Sequence, residues 1–222
     1  IVYAFDKDPK LKNSLVKEIK RTWPFVKKLF KKNKLKLKNF YYFTSLEKTL
    51  KEADFIQECA TENYALKTKL MGTIGNYAKP NAIISSSSSG LLPTRIYSKC
   101  KNPRRSLIGH PFNPVYLLPA VEIVPGKKTG TKYLNQAKKF YKSISMNPIM
   151  VKKELPGYLS DRLQEALWRE ALHIVNEGYA TTKDLDRAIE DGPGLRWSLM
   201  GTFLTFHLAG GKNGMKHMLE QF

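Results

Sequence analysis

An open, doubly wound α/β sheet followed by an all-helical second domain is the fold class this sequence predicts. Three observations carry it. Short apolar runs alternate with segments of helical period through the first two thirds of the chain, the pattern of parallel strands joined by helical crossovers. After residue 151 the strand signals stop and amphipathic helical periods take over. The charge changes at the same place: residues 1–152 hold 30 of the 38 Lys and Arg against 9 acids, whereas residues 153–222 hold 8 against 10. The expected division is therefore a Rossmann-like domain over 1–151 and a helical domain over 152–222.

IVYAFDKDP opens the chain as a short apolar strand ending in acids. Leu11, Leu15, Ile19, Val26 and Leu29 then recur at near-helical spacing, which predicts a helix over 11–32. Pro24 is expected to kink or divide it, because proline has no backbone donor and its ring crowds the preceding turn. FYYFTS reads as a strand, SLEKTLKEA as a helix with Ser45 as cap, and DFIQECA as the next strand. Residues 64–77 read as a helix and NAIISSSS as a further strand. Beyond residue 151, Leu163, Ala166, Leu167, Ala171, Leu172 and Val175 mark an amphipathic helix over 161–177, stopped by Gly178. TTKDLDRAIEDG offers a second helix capped by Thr181 or Thr182, and a third, more apolar segment lies between Trp197 and Leu208.

In a doubly wound sheet a nucleotide sits beyond the carboxyl ends of the strands. The first strand and its glycine-rich turn precede the strand whose acid reaches the adenosine ribose. No GxGxxG occurs in these residues, and IVYAFDKDP looks like that second strand. The expectation is that roughly 30 residues bearing the first strand lie upstream, by the usual spacing of the motif. Without that strand the sheet should have a gap at its centre. Asp6 is then the ribose-facing acid, with a turn acid or helix cap as the alternative. An acid there repels a 2'-phosphate and favours NAD over NADP, although Lys7 follows it.

The 222 residues are 42% hydrophobic, enough for a real core, and no apolar run approaches the ~20 residues of a membrane span. Cys59 and Cys100 lack metal-ligand spacing and are too few for a disulfide scaffold, so no metal and a reducing, cytoplasmic setting are expected. The net charge of +19 gathers partly at Lys27, Lys28, Lys31, Lys32, Lys34, Lys36 and Lys38, which could attract polyanions. These lysines interleave with Val26, Leu29, Phe30, Leu35 and Leu37, and no nucleic-acid-binding motif accompanies them. A solvated lysine-rich face, with no nucleic-acid or membrane partner, is the preferred reading.

Chemistry concentrates in GHPFNP, residues 109–114, and in PAVEIV, whose glutamate comes twelve residues after the histidine. Pro111 and Pro114 restrict the backbone around His110 and so fix the direction of its imidazole. Glu122 lies in an apolar strand-like run, where a carboxylate is costly unless paired. An acid on one ring nitrogen would set the tautomer and favour the charged form while the other nitrogen takes a proton. A purely structural pair is the alternative. Ser85 to Ser89 end a strand where substrate and cofactor would meet, and with no GxSxG elbow the simplest role for a hydroxyl there is a hydrogen bond to a substrate oxygen.

SSSSSGL, GHPFNPVYLLPAVEIVPG and ELPGYLSDRL together resemble the 3-hydroxyacyl-CoA dehydrogenase superfamily. QEALWREALHIVNEG, GPGLRWSLMGTFLTFHLAGG and GMKHMLEQF are similar, within it, to the carnitine-oxidising members. The resemblance covers almost the whole chain. It implies an NAD-dependent oxidoreductase; the apolar helices of the second domain, for their part, suit the face of a homodimer as well as a core. The resemblance makes His110 the general base, Glu122 its orienting partner and Ser89 the contact to the substrate oxygen. Asp6 falls at the ribose acid, and Glu62 and Lys67 of TENYALK match a pair on the nicotinamide side. Asp161 stands where hydroxyacyl-CoA enzymes carry asparagine, an anion awkward beside CoA but congenial to a trimethylammonium group. For carnitine, Trp197, Phe203, Phe112 and Tyr116 are candidates for aromatic contact with the ammonium and Arg196 for the carboxylate. Alternatives are a hydroxyacyl-CoA or sugar-acid oxidising relative, a non-catalytic oligomeric protein on the same fold, and a polyanion-binding module.

Overall fold

The computed structural model describes residues 1–31 and 34–221, and the chain divides into two compact units, Ile1–Arg162 and Leu163–Phe222. In the first unit β1 (Val2–Phe5) runs parallel to β2 (Phe40–Phe43), and α1 (Leu11–Phe30) lies between them in the chain. Pro24 lies inside α1, which is not divided there. No residue of α1 is buried, so water can satisfy the carbonyl that the proline leaves without a donor. The helix ends at Lys31 in the left-handed conformation (φ 50°), with Lys27 and Lys28 in its last turn complementing the dipole. Lys32, part of the lysine run, lies outside the described residues.

The second sheet has the order β3 (Phe55–Glu58), β4 (Ile83–Ser86), β5 (Ser106–Pro111), β6 (Ala120–Pro125), β7 (Asn147–Met150). All its pairs are parallel except β5–β6. Among the described residues no strand joins β1 to β3, so the sheet is in two pieces. α2 (Leu46–Leu50) is capped by Ser45 as expected, and α3 (Tyr64–Tyr77) by Asn63, whose side chain accepts from the Leu66 N–H. α4 (Pro93–Ile96) and α5 (Thr131–Ser143) complete the unit's helices before residue 150.

Strand alternation sorts the core onto two faces. Ile84, Ile108 and Val124 pack on one side with Met71 and Ile74 of α3 and Ile96 of α4. Leu107, Val121 and Ile123 pack on the other with Ala137 and Tyr141 of α5. Each such fully buried aliphatic contributes about 1.5–3 kcal/mol. The same alternation puts His110 on the face of Ile108, puts Glu122 on the face of Val124, and turns Gly109 toward Tyr141.

In the second unit the structure has α6 (Ser160–Asn176, beginning in the first unit), α7 (Thr182–Glu190), α8 (Pro193–Trp197), α9 (Thr202–Ala209) and α10 (Gly214–Gln221). Gly178 takes the left-handed conformation (φ 74°) that ends α6. Thr181 caps α7 in a capping box with Asp184. None of α6 to α9 has a buried side chain, and Leu163 (69%) and Phe203 (84%) are among the most exposed apolar groups. No described helix is long and apolar enough to cross a membrane.

Candidate active site

His110 and Glu122 are a directly opposed antiparallel pair on β5 and β6. Their side chains emerge on the same face, and His110 Nδ1 lies 2.9 Å from Glu122 Oε2. Glu122 is fully buried and His110 only 6% exposed. The second carboxylate oxygen accepts from the Leu159 N–H (3.0 Å), the Ser160 N–H (2.9 Å) and the Ser160 hydroxyl (3.2 Å). Ser160 begins α6, and its first turn lies in the same unit as the carboxylate. Burial pushes the Glu122 carboxyl up, but the hydrogen bonds from His110, Ser160 and Leu159 outweigh it and hold the group below the ordinary glutamate value. The imidazole is flanked by the rings of Phe112 at 4.7 Å and Tyr158 at 5.7 Å.

A second cluster gathers at the carboxyl ends of β3 and β4. Lys67, 1% exposed, donates to both oxygens of buried Glu58 (2.9 and 3.1 Å) and to the Ala60 carbonyl (2.8 Å). Its ammonium also lies 3.5 Å from Glu62. Glu58 accepts from the Ser86 hydroxyl (2.5 Å) and the Ala60 N–H (2.5 Å). Glu62 accepts from the Ser88 hydroxyl (2.5 Å), the Ser89 N–H (3.1 Å) and the Gly90 N–H (3.3 Å). Desolvation raises the Glu62 carboxyl, but Ser88, Lys67 and the two backbone donors hold it low. The serine turn is thus clamped onto a carboxylate, and Ser89 is exposed. Tyr158 connects this turn to the histidine, because its hydroxyl donates to the Leu91 carbonyl at 2.7 Å while its ring faces His110.

Asp6 follows β1 at its carboxyl end, where Oδ1 accepts from the Asp8 N–H (2.9 Å). It therefore acts as a turn acid in addition to any ligand role. Asp161 lies in the first turn of α6, inside the helix and not at its capping position. Burial raises its carboxyl, with His110 lowering it and Glu122 raising it, and the net direction is up. Phe112 stands beside His110, whereas Tyr116 leans on Phe25 of α1 at 6.0 Å. Arg196 and Trp197 end α8 and Phe203 is the second residue of α9, all three exposed. Glu58, Tyr158 and Ser160 were not singled out from sequence, although the motifs around them were. Their roles come from partners 28, 67 and 38 residues away.

Carboxylates are good acceptors for ribose hydroxyls, and Asp6 follows β1 while Glu62 lies beyond the end of β3, on the carboxyl side where this sheet class takes a nucleotide. The residues present fit NAD. Residues 1–155 match the 3-hydroxyacyl-CoA dehydrogenase NAD binding domain, and residues 157–222 match the C-terminal domain of the same enzymes. An L-carnitine dehydrogenase of a Pseudomonas species is 48% identical over all of this chain and 69% of its own length. Another, from Oceanobacillus iheyensis, is 47% identical over all of this chain and 72% of its own. Among solved structures, an NAD+-dependent dismutase, 5-formyl-3-hydroxy-2-methylpyridine 4-carboxylic acid 5-dehydrogenase, superposes with a TM-score of 0.87 at 24% identity, covering all of this chain and 71% of that one. With both domains matched in order, the chain belongs to the 3-hydroxyacyl-CoA dehydrogenase family of NAD-dependent oxidoreductases.

Proposed function

We propose that this enzyme oxidises the 3-hydroxyl of L-carnitine to the ketone, with His110 as general base. The observation that carries the chemistry is the buried pair of His110 and Glu122, 2.9 Å apart, whose carboxylate is held by three further donors. Nδ1 is committed to Glu122, which leaves Nε2 to take the hydroxyl proton, and the carboxylate compensates the charge that then appears on the ring. Bound NAD+ supplies the acceptor for the hydride leaving C3. Ser89 holds the substrate oxygen, Asp6 the adenosine ribose, and Glu62 the nicotinamide side with Lys67 behind it. Catalysis is then mostly positioning and electrostatics.

Two observations favour carnitine over a CoA thioester. Relatives named L-carnitine dehydrogenase match the entire chain at 47–48% identity. Asp161 places a carboxylate in the first turn of α6, next to the Ser160 that hydrogen-bonds Glu122, a partner for a quaternary ammonium. Phe112 and Tyr116 in the first unit, and Arg196, Trp197 and Phe203 in the second, are the further proposed substrate contacts. Residues 1–151 bind NAD in this reading, and residues 152–222 serve substrate binding and dimerisation. The homodimer is supported by the open apolar faces of α6 to α9, and a cytoplasmic setting by two free cysteines.

Asp161→Asn tests the substrate. Losing one charge from a partly buried ion pair should cost roughly tenfold or more in kcat/KM on L-carnitine, with a gain or no loss on a short 3-hydroxyacyl-CoA. Unchanged kcat/KM on carnitine would return Asp161 to a structural role, and activity confined to the CoA thioester would overturn the substrate.

A further inference from the structure

We propose that Gln57 and Tyr141 are positioning residues for His110, holding the Gly109 carbonyl through a one-way chain of hydrogen bonds on the sheet face opposite the imidazole. This rests on the reading of His110 as base. The last β4–β5 pair is Ser86 with Ile108, so the Gly109 carbonyl lies past the end of that parallel ladder. Gln57, on β3, reaches it instead: Nε2 donates to the Gly109 carbonyl at 3.0 Å and to the Ser87 hydroxyl at 2.7 Å. The Tyr141 hydroxyl donates to Gln57 Oε1 at 2.6 Å, and so accepts from the Ser85 hydroxyl at 2.9 Å. Each link fixes the direction of the next, and both amide hydrogens of Gln57 are used.

Tyr141 and Ser85 are buried, and burial pushes the phenol up, so it remains a donor at neutral pH. The Tyr141 ring is itself fixed edge-on to Phe55 at 5.3 Å. Gly109 has no alternative at its position, since a Cβ there would collide with the Tyr141 hydroxyl and with Ser85 Oγ at 2.5 Å. The consequence for His110 follows from peptide planarity. The Gly109 carbonyl and the His110 N–H share one rigid plane, so tilting that carbonyl turns the His110 backbone and swings its imidazole relative to Glu122. Gln57 itself is exposed, so a structural role that water could replace is the competing account.

The test uses Gln57→Met, Tyr141→Phe and the double variant of the NAD-loaded enzyme, with L-carnitine protiated or deuterated at C3. Each single variant should lose roughly tenfold in kcat, with KM within about twofold and a larger deuterium isotope effect as hydride transfer becomes limiting. The double should lose no more than the worse single, because both act on one carbonyl. Unchanged kcat in both, losses that multiply in the double, or a change confined to KM would overturn the proposal. A second readout needs no turnover: in both variants the proton resonance between His110 Nδ1 and Glu122 should shift or broaden, and an unmoved resonance in both would equally overturn it. A wild-type enzyme silent on L-carnitine whose resonance still moves in the variants would sink the substrate reading and leave the positioning role standing.

Discussion

Glu122 keeps its charge in a place with no exposure to water because four donors surround it, and that has a pH signature. Its folded carboxyl is held low, so the stability it contributes is fully present above the unfolded glutamate value of about 4.3 and is lost as pH falls through the lower folded value. Chemical denaturation of wild type and Glu122→Gln from pH 7 to pH 3 should show the wild-type advantage shrinking through the acid end of that range. A constant difference would contradict the pairing. The same variant should lose roughly 100-fold or more in kcat, the usual scale of general-base assistance. His110 and Glu122 were legible in sequence because both broke a local rule: a histidine pinned between prolines, and a carboxylate alone in an apolar strand. Glu58 gave no such signal. At the end of FIQE it reads as an acid leaving the sheet for solvent, and only the fold brings Lys67 and Ser86 onto it. Tyr158 was hidden in the same way, as an ordinary aromatic in PGYLS.

At the scale of elements, several helices with caps or strong apolar periods could be read from the sequence. The Thr181 cap is one of the legible ones, and Asp184 completes its box by accepting from the Thr181 N–H at 3.2 Å. Thr181→Ala should destabilise the protein by about 1 kcal/mol, seen as a lowered midpoint in chemical denaturation with unchanged slope. No change would show that α7 does not depend on its cap. α5 and β7 were not anticipated. α5 was missed although its period is present: Tyr133, Leu134, Ala137, Phe140 and Tyr141 recur at helical spacing among the lysines and all pack in one core cluster. β7 carries Pro148, which a central strand would exclude and an edge strand tolerates. Pro24 misled in the other direction, because an exposed helix can leave a carbonyl to water.

For the molecule as a whole, the change of rhythm and charge lies near residue 151, and the two compact units meet in the chain after Arg162. The first turn of α6, Ser160–Arg162, falls in the first unit, where its first residue donates to Glu122. A tie to a carboxylate 38 residues earlier cannot be seen in composition. The account as a whole stands on His110 working as a base on carnitine. The direct measurement is NADH formation, followed by absorbance, on L-carnitine beside a short 3-hydroxyacyl-CoA, for the enzyme and for His110→Ala. The account predicts NADH from carnitine at a rate at least roughly 100-fold lower in the variant, with NAD+ binding retained. NADH formation undiminished in His110→Ala, or no turnover of carnitine by a folded, NAD+-binding wild type, would contradict it.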